Sequence, residues 1–196
     1  MLNNQLRIPV QDLAIIKLIK PNFVTGPWIA GGSVIQWYNG NPVNDHDVDV
    51  FFQNQAQYTQ VRDRIQHYLN DKDTLGLSCS LIFTSPNAET FKIHSHTVQL
   101  IKARFYSSVT ELLDRFDIIA CKIATDGHTW FSNHSQTEKH IQKSILDMDK
   151  IVSDSAVKRL FKYWIYGFQP TESLIQRIQS CQELNTNFSN SSDYDS

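Results

Sequence analysis

Cysteine is scarce: Cys79, Cys121 and Cys181 are widely spaced and odd in number. They make no CxxC pair and no disulfide framework, which fits a reducing compartment. Charge is thin as well, at 19% of residues, with Asn, Gln, Ser and Thr filling the gap. Eighteen basic against 20 acidic residues give a net charge of -2. No global positive field draws the chain onto nucleic acid, so any such contact must be local. No apolar run reaches the roughly 18 residues that a membrane span requires. Met1-Leu2-Asn3-Asn4-Gln5 lacks the basic-then-apolar layout of a signal peptide, so the expected location is cytoplasmic, with no membrane partner. GxSxG, HExxH, Walker A and GxGxxG motifs are missing, which speaks against serine hydrolase, zincin, P-loop and Rossmann chemistry.

What is present suits a globular protein. The 196 residues are 41% hydrophobic, enough for one domain with its own core. Leu13, Ile15, Ile16 and Ile19 make a helical stripe stopped by Pro21, and Trp28-Ile29-Ala30 reads as a strand ending at Gly31-Gly32. Ser33 is a candidate cap for a helix to about Tyr38, closed by the turn Asn39-Gly40-Asn41-Pro42. His46 to Phe52 alternates as a half-buried strand. Asn54 caps an expected helix to about Leu69, with Tyr58, Val61, Ile65 and Leu69 inward. Strands are expected over Leu77–Thr84, Thr90–His94 and His96–Ala103, then a short helix with a capping box from Ser108 to Glu111. Phe116 to Ala124 and His128 to Phe131 suggest a hairpin about Asp126-Gly127. Helical pattern follows in three segments to about Leu184, broken near Gly167 and Pro170. The expected fold class is α+β, with a sheet domain over 1–132, a small helical appendage over 133–184 and a disordered tail over 185–196.

Chemistry concentrates in Asn44-Asp45-His46-Asp47-Val48-Asp49-Val50-Phe51-Phe52. On a strand, Asp45, Asp47 and Asp49 share one face while Val48 and Val50 take the other. Two carboxylates about 4 Å apart repel by roughly 4 kcal/mol at an effective dielectric of 20, so a cation or protonation must offset them. Mg²⁺ or Mn²⁺ suits hard oxygens from one strand and leaves room for phosphate. The plainer alternative is a solvated edge that uses charge against aggregation. Upstream, Gly31-Gly32-Ser33 ends a strand and opens a helix, where glycine lets an anion approach and free N–H groups favour it. An anion cradle beside a carboxylate cation site describes a triphosphate–metal site.

Ala30-Gly31-Gly32-Ser33, Gly40 and Asp47-Val48-Asp49-Val50-Phe51-Phe52 together resemble the DNA polymerase beta-like nucleotidyltransferase superfamily. The branch most similar is the head domain of poly(A) polymerases and CCA-adding enzymes. Phe116 to Ala124 is similar to a later strand of that head, and Val98-Gln99-Leu100-Ile101 falls at its third core strand. The resemblance implies a nucleotidyltransferase-like mixed sheet with flanking helices. Asp47 and Asp49 would hold Mg²⁺ or Mn²⁺ as catalytic residues. Gly31, Gly32 and Ser33 would contact nucleoside triphosphate phosphates. Arg115 and Asp117 would line the nucleotide pocket, or else form a structural ion pair. The implied reaction moves a nucleoside monophosphate from an NTP to a hydroxyl of RNA, a protein or a small molecule. A diverged protein of the same fold, binding a nucleotide or protein partner without turnover, is the alternative.

Departures from the branch are specific. Counting from Gly32, Asp45 and Asp47 fit the paired positions as well as Asp47 and Asp49, but the unbroken apolar run follows the later pair. Gln99 stands where a third carboxylate is common, and a neutral amide binds metal more weakly and cannot act as a base. Gln36 replaces an Asp and Cys121 an Asn. The chain shows no long helical body of the kind that recognises tRNA, so CCA addition is not expected. His94 and His96 read as hydrogen-bonded surface histidines, and His46 as a packed or edge residue on the face away from the aspartates. Lys158, Arg159 and Lys162 interleave with Phe161, Tyr163 and Trp164 on one helix, an ordinary cationic face or a phosphate or RNA contact.

Overall fold

The computed structural model describes residues 5–43, 46–70, 79–149 and 154–180, and everything below concerns these. Asp45, the Leu77 start of the third expected strand, Cys181, the Leu184 helix end and the tail 185–196 lie outside them.

Short apolar runs bounded by turn residues build the sheet. Its strands are β1 (Trp28–Ala30), β2 (Val48–Phe51), β3 (Cys79–Thr84), β4 (Ala88–Ile93), β5 (His96–Ile101), β6 (Ala124–Thr125) and β7 (Trp130–Phe131). They form one seven-stranded sheet in the order β3-β4-β5-β2-β1-β6-β7. Only β2 and β5 run parallel within it, with Val48, Asp49 and Val50 opposite Val98, Gln99 and Leu100. The crossover between them carries α3 (Gln55–Asn70), whose Tyr58, Val61 and Ile65 are buried against the sheet. Asn54 caps it, its Oδ1 accepting from the Gln57 amide at 2.9 Å. Alternation in β2 follows the expectation: Val48 and Val50 are buried, while Asp49 and Phe51 turn to the half-open face. Burying each valine stabilises the strand by roughly 1.5–3 kcal/mol and fixes which face the carboxylates occupy.

Helices α1 (Leu13–Ile19), α2 (Gly32–Tyr38), α4 (Val109–Leu113), α5 (Thr137–Gln142) and α6 (Asp154–Ile165) surround the sheet. A further helical segment spans 172–180. Ile15, Ile19, Val34, Ile35, Val48, Val50 and Ile65 share one apolar cluster with Ile141, Leu146, Leu160, Tyr163 and Leu174. The C-terminal elements therefore pack on the same core as the sheet. At α4, the Ser108 hydroxyl accepts from the Glu111 amide, and Glu111 reaches back to the Ser107 amide and hydroxyl rather than to Ser108.

Three expectations need correction. The hairpin about Asp126-Gly127 is there as the antiparallel β6–β7 pair, but its first arm starts only at Ala124: before it, Ile118 makes an isolated bridge to Met148, and 119–121 form a 3₁₀ turn whose Ile119 carbonyl accepts from the Thr137 hydroxyl. Side-chain capping widens the 126–129 turn as well, since Asp126 Oδ1 accepts from the amides of His128 and Thr129. The region after α5 is not purely helical, because β8 (Ile145–Leu146) and β9 (Gln169–Pro170) pair in parallel. His96 is not at the surface. It is buried beside Asp12, with Nε2 3.3 Å from Asp12 Oδ1 and Nδ1 3.0 Å from the Val43 carbonyl. Asp12 Oδ2 also accepts from the Trp37 indole at 2.7 Å and from the Val43 amide at 3.0 Å. This buried polar knot ties α1, α2, β5 and the loop before the acidic strand together.

Candidate active site

The antiparallel register of β1 and β2 sets Ile29 opposite Val50. Continuing that register carries the Gly31-Gly32 turn toward the Asp47 end of β2. Gly31 has φ +87° and ψ -140°, a conformation left almost entirely to glycine. A Cβ there would also stand 3.0 Å from the Phe116 ring. Gly31, not Ser33, is the residue at the cap position of α2. Ser33 lies in the first turn, fully buried, and its hydroxyl has no hydrogen-bond partner. Buried hydroxyls are rarely left so, and this one sits where helix N–H groups also lack intrahelical acceptors.

Asp47 precedes β2 and Asp49 lies within it, both half-buried. Burial, then repulsion from Asp47, pushes the Asp49 carboxyl up to about 7, and Lys162 partly offsets the rise. Gln99, beside Asp49 on β5, donates from Nε2 to Asp47 Oδ2 at 2.9 Å. The structure thus brings Asp47, Asp49 and Gln99 together at the end of the sheet where the glycine turn lies.

Arg115 and Asp117 separate. Asp117 pairs with Arg159 of α6 and accepts from the Ile118 amide at 3.0 Å, whereas Arg115 is exposed near Tyr106. The basic helix face that sequence left open between surface and site is directed at the site. Lys162 lies close enough to Asp49 to hold its carboxyl down, and stands 5.9 Å over the Tyr166 ring. Tyr163, buried and hydrogen-bonded to Cys121, sets its hydroxyl 3.0 Å from where a Gly32 Cβ would be. Burial first, and the nearby Tyr163 hydroxyl in opposition, leave the Cys121 thiol at about 12, an inert group. His46 joins this side too, its Nε2 3.1 Å from Gln36 Nε2 and its ring 4.4 Å from that of Tyr166. The signal for α6 was the i, i+3 spacing of Arg159 and Lys162, which puts both on one exposed face; nothing local marked that face as the one beside Asp117 and Asp49.

The donor set, two neighbouring carboxylates at the end of the sheet toward which the glycine turn is carried, fits a hard divalent ion. His94 is exposed and shares no cluster with His96, and no group of three or more His, Cys, Asp or Glu side chains suited to a metal occurs among the described residues. No described helix is long and apolar enough to cross a membrane.

Solved structures share this architecture. A Thermotoga maritima CCA-adding enzyme complexed with tRNA is 14% identical with a TM-score of 0.60, covering 87% of this chain and 42% of that one. A tRNA-processing enzyme in an apo form is 16% identical with a TM-score of 0.65, covering 92% and 49%. A CCA-adding enzyme in complex with CTP is 14% identical with a TM-score of 0.64, covering 89% and 44%. The chain spans less than half the length of these structures. At such identity the likeness shows the fold, that of a polymerase beta-like nucleotidyltransferase. No curated protein matches the chain. Residues 7–144 match the model of the Gabija anti-defense 2 (Gad2) proteins, and the chain belongs to that family.

Proposed function

We propose that the protein is a divalent-metal-dependent nucleotidyltransferase that moves a nucleoside monophosphate from an NTP to a hydroxyl acceptor. The observation that carries this reading is Asp47, just before β2, standing beside Asp49 within it, at the end of the sheet toward which the register of β1 and β2 carries the Gly31-Gly32 turn. In the reaction, the acceptor oxygen bonds to the α-phosphorus, the bond to pyrophosphate breaks, and the acceptor proton passes to solvent.

Asp47 and Asp49 would hold Mg²⁺ or Mn²⁺, which when bound supplies charge neutralisation and polarisation of the phosphates. The chain's own residues do the positioning. Gly31 and Gly32 would admit the triphosphate close to the backbone, and the unpartnered Ser33 hydroxyl, fully buried as the turn stands, would donate to a phosphate oxygen only once the turn opens to it. Lys162 offsets the charge on the acidic pair, while Arg159 holds Asp117 against α6. Arg115, expected beside the nucleotide, is exposed near Tyr106. Placement and electrostatics of this kind account for most of such a transfer. The solved structures of the same fold include complexes with tRNA, ATP and CTP, which supports nucleotide and RNA as partner classes. The family name sets its members against the Gabija defense, so components of that system are the first acceptors to try.

A second reading, nucleotide binding without turnover, is favoured by Gln99 at the third ligand position. Titrating the protein with NTP, with and without Mg²⁺, tests what both share. Mg²⁺-dependent binding lost in Asp49→Asn is expected, and binding indifferent to either change overturns both. Transfer of label from an α-labelled NTP to an acceptor then separates enzyme from binder.

A further inference from the structure

The charge of the cation site is set by β5. Gln99 lies opposite Asp49 in the parallel ladder, and its amide nitrogen donates to Asp47 Oδ2 at 2.9 Å. With a carboxylate as acceptor, the NH₂ end of the amide must face Asp47, so the atom nearest the pair has no lone pair to offer a cation. Among the described residues, Asp47 and Asp49 are then the carboxylates beside Gln99, and Lys162 sets a positive charge against them.

A hard divalent ion takes about six oxygen ligands, and its affinity follows the number of charged ones. Two carboxylates facing an ammonium leave at most one net negative charge and most of the coordination shell to water. A nucleoside triphosphate brings several anionic oxygens at once. We propose that Gln99 withholds a third negative charge from the cation site, so that a divalent ion enters with the triphosphate rather than ahead of it. This rests on the reading of Asp47 and Asp49 as metal ligands. Gln99 is in this role a positioning residue: it orients Asp47 and sets the charge, without touching the reacting atoms.

Manganese binding to the full chain, followed by electron paramagnetic resonance without nucleotide, tests it. Wild type is expected to bind Mn²⁺ weakly, Gln99→Glu roughly tenfold or more tightly, and Gln99→Ala within about threefold of wild type. Mn²⁺ should also raise the Tm of Gln99→Glu more than that of wild type, because the ion relieves repulsion among three carboxylates. Gln99→Asp brings the same charge on a shorter stem and repeats the comparison should Gln99→Glu not fold. Nucleotide-free wild type binding Mn²⁺ as tightly as Gln99→Glu overturns the proposal. So does Gln99→Ala matching the gain of Gln99→Glu, which would make the hydrogen bond and not the charge responsible. A parallel titration of wild type with a non-hydrolysable NTP analogue and Mn²⁺ keeps the two levels apart. No binding there sinks the metal-site reading and this inference together, whereas normal binding with no difference among the Gln99 variants sinks this inference alone.

Discussion

Asp49 carries a carboxyl held at about 7 by burial first and by Asp47 second. Its ordinary value is near 3.8, so without metal the folded chain binds a proton there that the unfolded chain has already lost. The stabilisation is therefore present below pH 4 or so and is lost as pH rises through about 7. Metal-free protein should lose on the order of a few kcal/mol across that window from this residue. Asp49→Asn should flatten the loss and melt at a higher temperature at pH 8, which thermal melts in a chelator would show. Cation binding competes with the same proton, so Mg²⁺-dependent NTP binding should strengthen as pH rises through 7. Gly31 makes a separate test at this scale. Gly31→Ala must hold a Cβ at φ +87° and 3.0 Å from Phe116, so it should cost about 1–3 kcal/mol in urea unfolding. It should also weaken nucleotide binding by disturbing the turn.

Among the elements, α6 is the one whose role the sequence leaves open. Its hydrophobic residues place it on the core through Leu160 and Tyr163, while Arg159 and Lys162 are set toward Asp117 and Asp49. Lys162→Ala removes the charge that lowers the Asp49 carboxyl, so the pH midpoint for Mg²⁺-dependent NTP binding should move upward and affinity at pH 7 should fall. A pH series of binding titrations on the variant checks the direction, and an unmoved midpoint would detach α6 from the site. Elements with a local signal were legible in advance. Periodicity marks α1 and α3, β-branched and aromatic runs mark β1 and β5, and Ser108 with Glu111 marks α4. The 3₁₀ turn at 119–121 and the β8–β9 pair were not, because tertiary hydrogen bonds such as Thr137 to Ile119 decide them. In the same way Asp47 and Asp49 could be read from alternation, but the reach of His46 to Tyr166 and of Asp117 to Arg159 depends on contacts across 120 and 42 positions of chain.

At the scale of the whole molecule, the buried knot of Asp12, Trp37, Val43 and His96 connects the first helix to the strand that carries Gln99. Asp12→Ala strands the Trp37 indole and the Val43 amide inside the protein, so it should cost on the order of 3–5 kcal/mol in urea unfolding. Because Val43 stands just before the acidic strand, the same change should weaken nucleotide binding at temperatures where the protein is still folded. Neither Asp12 nor His96 announces this pairing in sequence, since each looks like an ordinary surface residue until the sheet closes. The fold class itself was legible, because turn residues, alternating strands and the acidic strand after a double glycine occur in one order along the chain.

Asp47 and Asp49 are proposed to gather a divalent ion against a triphosphate seated at the Gly31-Gly32 turn. Crystals of the full chain grown with Mn²⁺ and a non-hydrolysable NTP analogue, measured at the manganese absorption edge, test it most directly. An anomalous peak is expected between the two carboxylates, with phosphate density reaching the turn. Nucleotide density elsewhere, or a manganese peak remote from both aspartates, would contradict it.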